Sequence, residues 1–146
     1  MGQGVGKNLT MQYNGIITRK IETLNTLLAE IESVVPVTEE QLRGDWKLRR
    51  SMERDLQVMI EIVIDICNRI ISLKKLSPQT TSRGSIDKCI ELKIISPSDK
   101  YIDMIGFRNF IVHRYENIDL GILSKTVNEC LPVFYKLRAE ILAHTV

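Results

Sequence analysis

Several residue types are scarce in this chain of 146 residues, and each scarcity excludes a class of protein or site. The three cysteines (Cys67, Cys89 and Cys130) are odd in number, widely spaced and without a C-x-x-C pair, a pattern typical of a reduced cytoplasmic protein with small buried thiols. With only two histidines, His113 and His144, a histidine-rich metal site is excluded, although a carboxylate-only magnesium site is not. No apolar run approaches the ~18–20 residues that a membrane span requires.

An excess of charge of one sign is also missing. Twenty Lys plus Arg against 18 Asp plus Glu give a net charge of +2, far from the strong basic excess of a dedicated duplex-DNA binder. Any nucleic acid must therefore be held by a local cluster of basic side chains. An apolar fraction of 44% and a charged fraction of 26% suit a domain with a buried core and exclude a disordered chain.

The first ten residues, MGQGVGKNLT, contain neither a secretory signal nor a phosphate-binding loop. They lack the apolar segment of a signal peptide. Their glycines resemble a phosphate loop only superficially, because no strand precedes them and Lys7 is followed by Asn8 where that loop has Ser or Thr. We expect residues 1–10 to be a flexible tail and residues 11–146 to form one domain.

No segment alternates with the period of a strand, and the apolar residues repeat at helical spacing. This predicts an all-α, up-and-down bundle of four main helices plus a short fifth. The second main helix, free of Gly and Pro over some 30 residues, would be the spine of the domain, about 45 Å long. In chain order, the expected helices run from about Asn14 to Val35, from Asp45 to Lys74, from a Ser85 cap to Lys93, from Ser96-Pro97 to Tyr115, and from an Asp119 cap through a kink at Pro132.

The segment 107–115 concentrates reactive side chains. On a helix with about 100° per residue, Tyr115 lies about −20°, Asn109 about 100° and His113 about 140° from Arg108. We expect one face to carry these polar groups. A fixed cation near a group that titrates around neutral pH suits the binding and cleavage of a phosphodiester, whereas an ordinary solvated helix face is the alternative. The residues expected on the opposite, core-facing side are Phe107, Phe110 and Ile111.

The spacing Arg108-x4-His113-x-Tyr115, with Asn109 directly after the arginine, resembles the signature of the HepT family in the HEPN superfamily. The resemblance extends over most of the chain. The stretch 50–68 is similar to the long central helix of that family, and the Ile-Gly-Phe run before the motif and the Glu-Asn-Ile-Asp run after it also fit.

The resemblance implies a helical-bundle toxin that acts as a metal-independent ribonuclease, needs no cofactor and is usually a homodimer with two motifs in one cleft. It also implies a partner, a small MNT-type nucleotidyltransferase antitoxin that neutralises the toxin by transferring AMP to the motif tyrosine, here Tyr115. Arg108 and His113 would be the catalytic residues. The alternative hypothesis is a catalytically silent helical dimer that binds a nucleotidyltransferase partner or a nucleotide through the same face.

The chemistry of these side chains agrees with those roles. The imidazole of His113 can act as a base that takes the proton of a ribose 2′-hydroxyl or as an acid that protonates the leaving 5′-oxygen. Arg108 can hold the phosphate through two parallel hydrogen bonds, while Asn109 more plausibly orients the site than reacts. Because one histidine cannot easily be both base and acid, a dimer that supplies two histidines would solve the problem. The product would be a 2′,3′-cyclic phosphate.

A second feature is the densest basic cluster, Arg49, Arg50 and Arg54, near the start of the central helix. These arginines are candidate contacts for an RNA backbone, and a solvated face is the alternative. We expect Trp46 and Met52 to pack at the end of the bundle or at the dimer interface.

Glu61 and Asp65 form an i, i+4 pair of carboxylates on the same helix. Such a pair can hold a metal, but we favour a structural role in salt bridges with Arg54 or Arg69, because burial of two unpaired carboxylates would be costly.

Overall fold

The computed structural model describes the backbone of residues 2–113 and 118–145 and the side chains of residues 15–113 and 118–144. Every regular element in these ranges is a helix, which confirms the predicted all-α class. Two short helices accompany the four long ones, one more than predicted. In chain order the helices are α1 (Gly2–Glu32), α2 (Glu39–Gly44), α3 (Trp46–Leu73), α4 (Ser82–Glu91), α5 (Lys100–His113) and α6 (Leu120–Thr145).

The long helix α3 is the spine of the bundle, as predicted. It begins at Asp45, whose carboxylate Oδ1 accepts a hydrogen bond from the Leu48 backbone N–H at 3.0 Å. Each of the other five helices contacts it. Its buried residues are Met52, Asp55, Leu56, Met59, Ile60, Ile62, Val63, Ile64, Ile66, Cys67, Ile70 and Ile71.

Two helix starts agree with the sequence pattern. Thr38 and Gln41 have the spacing of a capping box and form that motif at the start of α2, with reciprocal bonds of 3.1 Å and 2.8 Å between side chain and backbone. The carboxylate of Asp119 accepts from the backbone N–H groups of Gly121 and Ile122 at the start of α6. Short-range sequence patterns therefore determine both caps.

The short helix α4 begins earlier than predicted. Its cap is Thr81, whose hydroxyl accepts from the Gly84 backbone N–H at 2.9 Å, and not Ser85. The Ser85 side chain is buried and donates a hydrogen bond to the Asn68 side chain on α3. Ser85 therefore anchors α4 to the spine.

Helix α5 begins at Lys100, four residues after the predicted cap at Ser96. Both the backbone N–H and the hydroxyl of Ser96 donate instead to the Glu140 carboxylate of α6. The Tyr101 hydroxyl closes this segment by donating to the Ser96 carbonyl at 2.9 Å. A long-range contact thus replaces the local cap.

The first helix begins at Gly2, whereas the sequence predicted a tail over residues 1–10 and a helix from about Asn14. The division into a tail and one domain over residues 11–146 stays a prediction. Pro132 lies inside α6, as expected. No helix in the described ranges is long and apolar enough to cross a membrane.

The central helix also corrects two packing expectations. Met52 is buried, whereas Trp46 is 59% exposed at the start of α3 and does not pack into the end of the bundle, so its place at a dimer interface stays a prediction. Asp65 pairs with Lys20 of α1 at 3.3 Å, and Glu61 accepts from Gln57, so neither carboxylate uses the predicted arginine partners.

The three cysteine thiols lie in the interior of the bundle. Cys67, Cys89 and Cys130 are free and buried, which confirms the predicted state of the thiols. Within the described residues no group of three or more His, Cys, Asp or Glu side chains could hold a metal ion.

Asp55 is the one carboxylate buried in the core among the described residues, only 6% exposed on the side of α3 that faces α1. Burial, and after it a hydrogen bond and repulsion from the Glu30 carboxylate, raise the pKa of Asp55 to about 7. Its Oδ2 atom has no hydrogen-bond partner in the described structure. The fold therefore favours the protonated acid.

We expect Asp55→Asn to stabilise the protein at pH 8, on the order of 1–3 kcal/mol, because the neutral amide imitates the protonated acid. The stabilising contribution of Asp55 is complete below its unfolded pKa and is lost as the pH rises through its folded pKa of about 7. At pH 3.5, below the ordinary pKa of 3.8 that Asp55 has in the unfolded chain, the variant and wild type should therefore unfold at similar denaturant concentrations. Denaturation at both pH values tests this, with the exposed Asp65→Asn as a matched control; a pH-independent difference would contradict it.

Candidate active site on helix α5

The arginine of the motif lies on the core-facing side of α5. Tyr101 and Met104, one and two turns before Arg108 on the same stripe of the helix, are buried, and Arg108 itself is half-buried. The predicted single polar face is therefore wrong for Arg108. Its side chain is directed between the helices, while Asn109 and His113 are directed away from the core.

The guanidinium of Arg108 reaches across to the first residue of α4. Its Nη2 donates a hydrogen bond to the Ser82 hydroxyl oxygen at 2.6 Å. Its Nε is buried and has no hydrogen-bond partner in the described part of the chain. Helix α4 and the core thus fix the direction of this cation.

Asn109 and His113 are exposed, as a binding face requires. His113 is the last residue of α5 and lies about 140° around the helix from Arg108. Within one chain the cation and the histidine therefore point in different directions. Tyr115 lies outside the described residues, so its predicted place beside Arg108 stays a prediction.

The apolar side of the motif follows the sequence prediction in part. Phe107 is buried at 7% exposure, whereas Phe110 and Ile111 are half-buried and pack against the core. Phe110 instead helps to line a groove between α5 and α6.

That groove, which we call the α5–α6 groove, has a volume of about 720 Å³. Two of the large exposed apolar side chains lie in it, Ile102 at 50% and Ile122 at 56% exposure. Ile102, Gly106, Phe110 and His113 share one stripe of α5, because they are spaced by four, four and three residues. The histidine therefore continues the groove-lining face of the helix.

The charges around the groove have both signs. Lys100 and Lys125 stand with Asp103, Asp119 and Glu129 among the lining residues. A patch with an apolar floor and charges of both signs can pair with a copy of itself. The groove thus has the chemistry of a self-complementary surface.

Gly106 lies in the interior of α5 and lines this groove. A Cβ added there would meet nothing within 4 Å in the described structure. A glycine in the interior of a helix destabilises that helix by about 1 kcal/mol relative to alanine, and no described neighbour would exclude a methyl group here. Packing within the chain therefore does not explain why residue 106 is a glycine. Close approach of a second helix would.

The arginine cluster lies far from Arg108 in the same chain. Arg49 is half-buried, and Arg50 and Arg54 are exposed on the first third of α3. The α4 turn that holds Arg108 is tied to Asn68, 18 residues after Arg50, which corresponds to about 27 Å along the helix. The structure does not bring the cluster and the motif together.

The cluster does contain an aromatic side chain. The Arg50 guanidinium carbon lies 5.9 Å from the centre of the exposed Trp46 ring, and the Lys47 ammonium lies 5.7 Å from it. Such cation–π contacts form where an aromatic ring is exposed among basic residues.

Sequence reasoning missed Ser82 and Gly106. Ser82 follows a Ser/Thr-rich loop and is 26 residues from Arg108, so no local pattern distinguishes it from its neighbours. Gly106 could have been noticed in the sequence, because a glycine inside a predicted helix is unfavourable unless close packing requires it.

Comparison with known proteins gives one consistent result. Residues 24–141 match the family described as ribonuclease HepT-like. The chain is 32% identical over 123 residues to the mRNA nuclease HepT of Shewanella oneidensis. The aligned residues make up 83% of this chain and 92% of that protein.

Solved structures of similar proteins agree. A toxin–antitoxin complex with AMP-PNP superposes with a TM-score of 0.79 at 30% identity, over 89% of this chain and 99% of that chain. The tri-AMPylated Shewanella oneidensis HEPN toxin in complex with MNT antitoxin gives 0.78 at 31% identity, over 88% and 97%.

Proposed function

The chain belongs to the ribonuclease HepT-like family, and from this premise we propose that Arg108 and His113 on α5 are its RNA-cleaving residues, supported by Asn109. The protein is a ribonuclease and the toxin of a toxin–antitoxin pair. The observation that carries the residue assignment is the half-buried Arg108, held in one direction on the same short helix that ends in an exposed histidine.

In the proposed reaction the ribose 2′-oxygen attacks the adjacent phosphorus, and the bond from phosphorus to the 5′-oxygen breaks. A neutral His113 takes the 2′-hydroxyl proton, and a protonated histidine gives a proton to the leaving 5′-oxygen. Arg108 stabilises the negative charge that develops on the phosphate oxygens. The products are a 2′,3′-cyclic phosphate and a free 5′-hydroxyl, so no metal is needed to supply the nucleophile.

Two histidines in opposite protonation states require two chains. We propose a homodimer that forms through the α5–α6 groove, which carries His113 to the interface along the stripe that it shares with Gly106 and Phe110. A two-fold axis near this stripe would bring one His113 from each chain together. The apolar floor and the charges of both signs support this choice of surface.

The proposed partner is an MNT-type nucleotidyltransferase antitoxin that transfers AMP to Tyr115, as the AMPylated toxin of Shewanella oneidensis suggests. Tyr115 is two residues from His113 in the sequence. An added AMP would bring a negatively charged phosphate to the centre, where it would compete with the RNA phosphate for Arg108. The free buried thiols fit a cytoplasmic location for this pair.

Arg49, Arg50 and Arg54 are proposed contacts for the RNA backbone away from the cleavage point. These arginines lie about 21–29 Å along α3 from Asn68, where α4 is tied to α3, so they would hold a flanking part of the RNA. They therefore contribute to affinity and not to the chemical step.

The function is tested by RNA cleavage in excess EDTA with analysis of the product ends. We expect wild type to cleave and leave 2′,3′-cyclic phosphates, and His113→Ala to lose at least about a hundredfold in rate, because it removes the acid–base group. His144→Ala is the matched control and should cleave normally. Undiminished cleavage by His113→Ala would refute its assignment, and no cleavage by unmodified wild type would favour the silent partner-binding dimer.

Gly106→Leu tests the proposed interface. A Cβ at this position meets nothing within 4 Å, so we expect the helical signal to be unchanged and the better helix propensity to stabilise the monomer by about 0.5–1 kcal/mol. We expect the dimer to dissociate in sedimentation experiments and cleavage to fall with it. Gly15→Leu, in open space on α1, is the control. A Gly106→Leu protein that stays dimeric would exclude the groove as the interface.

Tyr115→Phe tests the modification. Incubation with the antitoxin and ATP should raise the mass of wild type by one or more AMP units and suppress cleavage, and the phenylalanine variant should show neither effect because it lacks the acceptor hydroxyl. Tyr135→Phe, which alters a half-buried tyrosine bonded to Glu32, should be modified like wild type. AMP transfer to Tyr115→Phe would place the acceptor elsewhere.

A further inference from the structure

We propose that Ser82 is a positioning residue for Arg108: its hydroxyl holds the guanidinium in the direction in which it binds the scissile phosphate. This inference rests on the proposed role of Arg108 and adds a residue from α4 to a centre otherwise built on α5. It is carried by the 2.6 Å hydrogen bond from Arg108 Nη2 to Ser82 Oγ.

The acceptor is neutral, and this matters for the charge of the site. Among the described residues no carboxylate forms an ion pair with Arg108. A carboxylate partner would fix the arginine but would also neutralise most of its field at the phosphate. A serine fixes the guanidinium and leaves its positive charge available to the RNA.

The geometry also selects the edge of the guanidinium that meets the phosphate. The Nε atom is buried and cannot reach a ligand in solvent. One of the two Nη2 hydrogens is used by Ser82, which leaves the other Nη2 hydrogen and the two on Nη1. If Ser82 accepts the Nη2 hydrogen on the Nε side, one hydrogen of Nη1 and one of Nη2 remain on the Nη1–Nη2 edge, which can bind two phosphate oxygens in parallel.

Ser82 is itself held in place by the core. It is the first residue of α4, directly after the cap residue Thr81. One helical turn later Ser85 is bonded to Asn68 of α3, and Ile86 is buried at 1% exposure. The hydroxyl that receives the arginine is therefore attached to the spine of the bundle and not to a free loop.

Loss of the Ser82 hydroxyl should release the long Arg108 side chain into several rotamers without unfolding α4. We expect Ser82→Ala to lower kcat/KM for RNA cleavage by about tenfold to a hundredfold, the range for a hydrogen bond to a charged group. The loss should fall mainly on kcat, because the arginine acts on charge that develops in the transition state. Ser82→Thr keeps a hydroxyl and should restore most of the rate.

Thr80→Ala is the matched control, since it removes an exposed hydroxyl two residues before Ser82 that is not a contact of Arg108. It should leave kcat and the guanidinium rotation as they are in wild type. A direct readout is the nitrogen NMR spectrum of the Arg108 guanidinium. Rotation about its Cζ–Nη2 bond should be slow in wild type and Ser82→Thr and fast in Ser82→Ala.

The outcomes separate this inference from the function on which it rests. If Arg108→Ala cleaves like wild type, the catalytic assignment of Arg108 fails, and the role of Ser82 fails with it. If Arg108→Ala is inactive while Ser82→Ala has the wild-type kcat and unchanged guanidinium rotation, only the positioning role of Ser82 is overturned. Slow cleavage by Ser82→Ala with rescue by Ser82→Thr supports the proposal.

Discussion

The uninterrupted apolar stripe of α3 is the constraint on which the other elements depend. Each of the other five helices contacts this helix. Leu56, Met59 and Ile66 on it are fully buried, and complete burial of each such side chain contributes about 1.5–3 kcal/mol. The same helix holds α4 through the bond between Asn68 and Ser85. The position of Arg108, the proposed catalytic arginine, therefore follows from how α4 packs on α3.

Arg108 and His113 of the motif lie on different sides of α5. Arg108 faces inward, where the low-polarity surroundings and one neutral hydrogen-bond acceptor give its charge a fixed direction. His113 faces outward at the end of the helix and is exposed. This division explains why a single chain is a poor candidate for the complete centre. The surface that carries His113 is therefore as important for the proposed centre as the motif residues themselves.

The α5–α6 groove connects assembly with regulation in the proposed function. It combines exposed isoleucines, charges of both signs and a glycine, Gly106, that leaves the helix surface there without a side chain. His113 lies on the same stripe of α5, and Tyr115 follows two residues later in the sequence. A modification at that tyrosine would therefore act on the cleavage centre by charge and bulk, with no change of fold required.

The sequence by itself determined the helical class, the central spine, the caps at Thr38 and Asp119 and the family motif, because helical periodicity and capping depend on residues within about four positions. Only the tertiary structure decided the contacts between distant segments. The bond of Ser96 to Glu140, 44 residues away, moved the start of α5, and the inward direction of Arg108 placed Ser82, 26 residues away, at the site. Such pairs are set by how the helices pack, and no local pattern encodes which side chains then meet.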